Sequence, residues 1–125
     1  LAKTYFDKIF KAQFENVTDI EHVTSELLKF RDERDWEQFH NTKDLALAIN
    51  VEAGELLQLF LWKSGEEADA LKVQEELADI FSFAILLANK YNLDVRQIIL
   101  DKIHKNSLKY PVDKAKGTAK KYNEL

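Results

Sequence analysis

Lys43-Asp44-Leu45-Ala46-Leu47-Ala48-Ile49-Asn50-Val51-Glu52-Ala53-Gly54-Glu55-Leu56-Leu57-Gln58-Leu59-Phe60-Leu61-Trp62-Lys63 is the stretch that decides the fold class. Leu45, Ala48, Ile49, Leu56, Leu59 and Phe60 fall on one face at helical offsets, without the alternation of a strand. The spacing predicts a helix over about 43–63 with those six residues buried, opened by Asn41-Thr42 as its N-cap and ended by Ser64-Gly65.

The same period continues on both sides. Upstream, Thr18-Asp19-Ile20-Glu21 reads as a capping box for a helix carrying Ile20, Val23, Leu27, Leu28 and Phe30 towards Trp36. Downstream, a helix is expected from Glu66-Glu67 through Leu71, Leu77, Ile80, Phe81, Ala84 and Leu87 to about Tyr91, its acidic start matching the positive end of the helix dipole. Asn92-Leu93-Asp94 closes it and caps a fourth helix with Val95, Ile98, Ile99, Ile103 and Leu108, which Pro111 stops. With 3 Gly and 1 Pro in 125 residues, the chain has little material for the turns of a sandwich or barrel. The expected fold is all-α, an antiparallel four-helix bundle with an additional short N-terminal helix. Residues 1–17, bearing Tyr5, Phe6, Ile9, Phe10 and Phe14, are read as a leader or an oligomer contact, since no Met stands at position 1; 18–112 form the helical domain, and 113–125 a Lys-rich, exposed and mobile tail.

Composition removes several functions. There are 0 Cys, which excludes disulfide scaffolds, Cys-based zinc sites, cysteine nucleophiles and iron–sulfur clusters. The net charge of -4 lacks the basic footprint expected for a nucleic acid polymer. No apolar run approaches the roughly 20 residues of a membrane span, and Leu1-Ala2-Lys3-Thr4 opens no signal-peptide core. A cytoplasmic protein without membrane contact is expected.

The chemistry concentrates in carboxylates. Glu52 and Glu55 on the second helix, and Glu76 and Asp79 on the third, are each spaced to project together from one face. Acidic pairs of this kind usually make a solvated surface, and Glu66, Glu67 and Asp69 are read that way, with Glu75 on the outer side. Asp79 lies in the apolar run Leu77-Ala78-Asp79-Ile80-Phe81-Ser82-Phe83 and is expected to be mostly buried. An unpaired buried carboxylate costs several kcal/mol, and few cations lie nearby in sequence. If the two helices pack antiparallel, four like charges converge, and a multivalent cation is the simplest compensation. An all-oxygen set favours Mg²⁺ or Mn²⁺ over Zn²⁺, and Mg²⁺ commonly completes its shell with substrate phosphates. A ferritin-like di-iron site would want Glu-x-x-His, and neither Glu52 nor Glu76 is followed by His at that offset.

In these residues the chain resembles the all-α nucleoside triphosphate pyrophosphohydrolases of the MazG-like superfamily, and most closely the small branch that includes the dCTP pyrophosphatases. The matching blocks are Phe30-Arg31-Asp32-Glu33-Arg34-Asp35-Trp36-Glu37-Gln38-Phe39-His40, Glu52-Ala53-Gly54-Glu55-Leu56 through Phe60-Leu61-Trp62, Glu75-Glu76-Leu77-Ala78-Asp79-Ile80, and Lys105-Asn106 with Lys109-Tyr110-Pro111-Val112. Val51 stands where the broader motif often carries Glu, a departure shared with the dCTP pyrophosphatase-like branch. The resemblance implies hydrolysis of a dNTP, dCTP-like or carrying a modified base, to dNMP and pyrophosphate in a house-cleaning role. Glu52, Glu55, Glu76 and Asp79 would be both the Mg²⁺ ligands and the catalytic carboxylates. It further implies a homodimer or homotetramer with the nucleotide pocket near a subunit interface.

Around that centre, Lys102, Asn106, Lys109 and Tyr110 near the end of the fourth helix are candidates for phosphate or sugar contact, Asn106 because the family pattern places Asn there. A solvated cationic helix end is the bland alternative for each Lys. Trp36 and Trp62 sit beside charged residues near helix ends, where an indole can form a stacking wall for a base. The resemblance supports both, with His40 as a polar edge; Phe83, one turn beyond Asp79, is expected to complete the wall, and Phe39 to lie in the core. His22 and His104 are assigned nothing. Two alternatives differ in kind: a dUTPase-like or phosphoribosyl-ATP pyrophosphohydrolase relative with another base pocket, and a non-catalytic helical interaction module that needs no metal.

Overall fold

The structure, a computed structural model, describes residues 18–125. The aromatic segment read from 1–17 lies outside the described residues. Among them there are helices and turns and no strand: α1 (Asp19–Glu33), α2 (Thr42–Gln58), α3 (Ala70–Lys90), α4 (Val95–Lys109) and the short α5 (Val112–Ala115). The all-α class expected from the periodicity is the one observed.

Local side-chain chemistry sets each start. Glu21 N–H donates to Thr18 Oγ1 and Thr18 N–H to Glu21 Oε2, both at 3.1 Å, completing the capping box of α1. Asn41 Oδ1 accepts from Asp44 N–H at 2.9 Å at the head of α2. Two boundaries differ from the sequence reading. Helix α2 ends at Gln58, because Phe60–Lys63 turn through a left-handed Trp62 with φ 61°. Helix α3 begins at Ala70, because Asp69 Oδ1 accepts from the N–H groups of Leu71 and Lys72 and so caps it better than Glu66 or Glu67, which stay in the preceding turn.

The contacts divide the chain into a unit ending at Asn92 and a unit beginning at Leu93. In the first, α2 packs along α3, and α1 packs on α3 as well. His40, just before α2, meets Phe83 of α3, whereas Glu52, three turns further on, meets Glu76 and Asp79. The two helices are therefore antiparallel, as expected. Leu45 is the most buried side chain, 1% exposed, joined by Leu86, Ala88 and Arg31. Of the other residues expected inside α2, Ala48, Ile49, Leu56, Leu59 and Phe60 are half-buried. Phe39, expected in the core, is exposed: it lies on the short turn Glu37–Phe39 between α1 and α2, outside the apolar face of either helix.

In the second unit Asp94 Oδ1 accepts from Gln97 N–H at 3.0 Å and starts α4, and Tyr110-Pro111 end it. Except for the half-buried Val95, its residues are exposed, the apolar Ile98, Ile99, Ile103 and Leu108 included. The Lys-rich tail is exposed but anchored at its far end. The Tyr122 ring stands edge-on to Tyr110 at 6.2 Å, with Lys109 Nζ 5.0 Å from the Tyr122 centroid. No described helix is long and apolar enough to cross a membrane.

Candidate active site

Helices α2 and α3 carry the acidic pairs to one place. Glu52, Glu76 and Asp79 each bring one carboxylate oxygen within 4.8 Å of the other two. Glu55, on the exposed side of α2, lies beside Glu52 without joining that group. Asp79 is exposed and not mostly buried as expected, because the face of α3 that carries it opens onto a cleft.

The surroundings of these oxygens are chemically unbalanced. Glu52 Oε2 and Glu76 Oε2 are sealed from solvent and receive no hydrogen bond. The Glu52 carboxyl is pushed up to about 7, first by loss of water, then by the close approach of the Glu55 and Glu76 carboxyl groups and by the charges of Glu55 and Asp79. A proton on one carboxyl group would let it donate to the next, so protonation is one way to relieve the cluster. A cation is the other. Orphaned buried acceptors, an all-oxygen donor set and crowded like charge all fit a hard divalent ion.

Asp79 also lines a cleft of about 430 Å³, together with Leu27, Phe30, Arg31, Trp36, His40, Ser82, Phe83 and Leu86. The end of α1 places Trp36 there. Asp35 takes φ 53°, its N–H donates to Asp32 O at 3.1 Å, and Trp36 N–H donates to Arg31 O at 3.0 Å, the paired bonds of a Schellman turn. Trp36 meets Phe30 edge-on at 5.7 Å, and His40 meets Phe83 edge-on at 6.4 Å. Burial, with the charges of Arg31 and Lys90, lowers the His40 pKa and favours the neutral ring.

Three of the four expected aromatic-wall residues, Trp36, His40 and Phe83, thus share one cleft with Asp79. Trp62 does not join them: it stands 93% exposed in its left-handed turn. Lys102, Asn106, Lys109 and Tyr110 belong to the second unit, where all four are exposed. Sequence reasoning missed Arg31, whose side chain is 9% exposed and lies in the cleft. The available signal was its position on the apolar stripe, four residues after Leu27 and three after Leu28.

Comparison with known proteins bears on the same residues. The model of the MazG-like family matches residues 47–125, which include all four carboxylates. The chain belongs to the MazG-like family. Among MazG-like relatives, bovine (Bos taurus) dCTP pyrophosphatase 1 is 38% identical over 120 residues, covering 90% of this chain and 71% of the bovine protein. Mouse (Mus musculus) dCTP pyrophosphatase 1 is 39% identical over 105 residues, covering 78% of this chain and 62% of the mouse protein. The chain therefore spans somewhat less than two thirds of the mouse relative's length. Among solved structures, a pyrophosphatase from Archaeoglobus fulgidus superposes with a TM-score of 0.70 at 32% identity, over 75% of this chain and 94% of that one.

Proposed function

We propose that this MazG-like chain is a Mg²⁺-dependent nucleoside triphosphate pyrophosphohydrolase. It converts dCTP, or a related dNTP including one with a modified base, to dNMP and pyrophosphate, and so clears unwanted nucleotides from the pool. The observation that carries this reading is the double membership of Asp79. It belongs both to the three-carboxylate group and to the cleft that holds Trp36, His40 and Phe83. A nucleotide lying along α3 would set its phosphates at Glu52, Glu76 and Asp79 and its base against the aromatic residues. The names of the bovine and mouse relatives supply the substrate class.

Water and a triphosphate enter, the anhydride between the α- and β-phosphates is cleaved, and the monophosphate and pyrophosphate leave. Glu52, Glu76 and Asp79, with Glu55 beside them, would hold a divalent cation, which would supply charge neutralisation and activation of water. The chain's own residues do the rest. Trp36 and Phe83 offer faces and edges to a base, and neutral His40 offers it a polar contact without adding charge. Trp62, Lys102, Asn106, Lys109 and Tyr110 are assigned to base, phosphate or sugar contact by resemblance to the family. Exposed Leu57, Leu71, Phe81 and Ile103 favour a homodimer or homotetramer, since solvation of so much apolar surface is unfavourable. A cytoplasmic location is in keeping with this role.

Product analysis with natural and modified dNTPs, in Mg²⁺, Mn²⁺ and EDTA, tests the proposal. Metal-dependent release of dNMP and pyrophosphate is expected. Absence of both products from every dNTP, with the chain folded, would overturn the activity.

A further inference from the structure

Arg31 is a cation almost removed from water, in a cleft otherwise lined mainly by apolar and aromatic side chains. Its donors are only partly used. Nε and Nη2 both approach Asp32 Oδ1 at 2.8 Å, and Nη2 lies 3.5 Å from Glu37 Oε2. Glu37 is tied on its other side to Lys90 Nζ at 3.4 Å, so the guanidinium is held at one edge by Asp32 and an anchored Glu37. Among the described residues, nothing accepts from Nη1.

We propose that Arg31 is the specificity-determining residue of this cleft, its guanidinium donating to the adjacent acceptors at ring positions 2 and 3 of a cytosine base. The inference rests on the nucleotide reading above and deepens it. A guanidinium donates and never accepts. Cytosine places O2 and the unprotonated N3 side by side, whereas thymine and uracil place an N–H at position 3, which meets a donor with a donor. Discrimination by a buried polar group of this kind is strong, because the wrong base leaves donors unpaired. His40 supports the same choice. Its Nδ1 is sealed and unpartnered, and the neutral ring that its surroundings favour adds no second cation beside the base.

The test is calorimetric titration of the whole chain with dCMP and with dTMP in EDTA, for the wild type, Arg31→Met and Arg31→Lys. The wild type is expected to bind dCMP more tightly, and both variants to lose about 10-fold or more of the dCMP-to-dTMP ratio. Arg31→Lys keeps the charge beside Asp32, so it remains informative if Arg31→Met does not fold. A purely structural role for Arg31 would weaken both ligands alike and leave the ratio unchanged. An unchanged ratio overturns the inference, as does a wild type that binds neither ligand or binds both equally. Because the readout is binding of a product without metal, it stands apart from whether dCTP is hydrolysed.

Discussion

Trp36 is tied to Arg31 through the backbone: the N–H of one donates to the carbonyl oxygen of the other at 3.0 Å, across the end of α1. One local turn thereby sets both the aromatic residue and the buried cation of the cleft. The turn depends on Asp35 holding a left-handed backbone at φ 53°. Gly adopts that conformation freely and Asp tolerates it, whereas a β-branched residue does not. Asp35→Gly is expected to keep stability within about 0.5 kcal/mol, and Asp35→Val to lower it by about 1–2 kcal/mol and to weaken nucleotide binding. Chemical denaturation with a parallel binding titration checks both.

Glu52→Gln and Asp79→Asn each remove one oxygen anion from the carboxylate group while keeping its shape. Each is expected to lower turnover by about 100-fold or more without loss of helix content. Steady-state pyrophosphate release with circular dichroism measures this, and near-normal turnover in both variants would remove the proposed metal site.

The raised Glu52 pKa gives the metal-free chain a defined pH response. The folded state holds this proton more tightly than the unfolded state, for which the ordinary value is 4.5. The resulting stabilisation is fully present below about 4.5 and lost as pH rises through about 7. In EDTA, melting temperature should therefore fall between pH 5 and 8 more steeply in the wild type than in Glu52→Gln. Mg²⁺ should raise it again at the alkaline end, by binding the ionised group. Identical pH curves for the two proteins would contradict this assignment.

Leu45, at 1% exposure, is the largest fully buried side chain among the described residues. Leu45→Ala should cost about 2–4 kcal/mol through lost burial and the cavity left behind. Its urea midpoint should shift accordingly, with an unchanged denaturant slope.

The fold was legible because its signals are local. Thr18 with Glu21, Asn41 and Asp94 mark helix starts by hydrogen bonding over three residues, Pro111 stops α4 because it has no N–H to continue it, and each behaves as read. The end of α2 and the start of α3 were misjudged, because Trp62 and Asp69 settle them through backbone conformation and a competing cap that periodicity does not register. In the site, the acidic spacing pointed to Glu52, Glu55, Glu76 and Asp79, of which Glu52, Glu76 and Asp79 meet across two helices and Glu55 stands beside them. Arg31 was hidden because the residues that meet it in the cleft or neutralise it, Phe83, Leu86 and Glu37 among them, lie beyond its own helix. The exposure of Asp79 was hidden too, since a cleft beside an apolar helix face is a property of packing and not of the run itself.

The two tryptophans of the chain differ in exposure, Trp36 at 42% with one edge against Phe30 in the cleft and Trp62 at 93% on a turn. That contrast makes the molecule its own optical instrument. Iodide reaches the indole of Trp62 more readily than that of Trp36, so the more slowly quenched light comes mainly from Trp36. A base entering the cleft would change that fraction, and a partner covering the turn would change the other, which allows occupancy and assembly to be followed in one cuvette without a label.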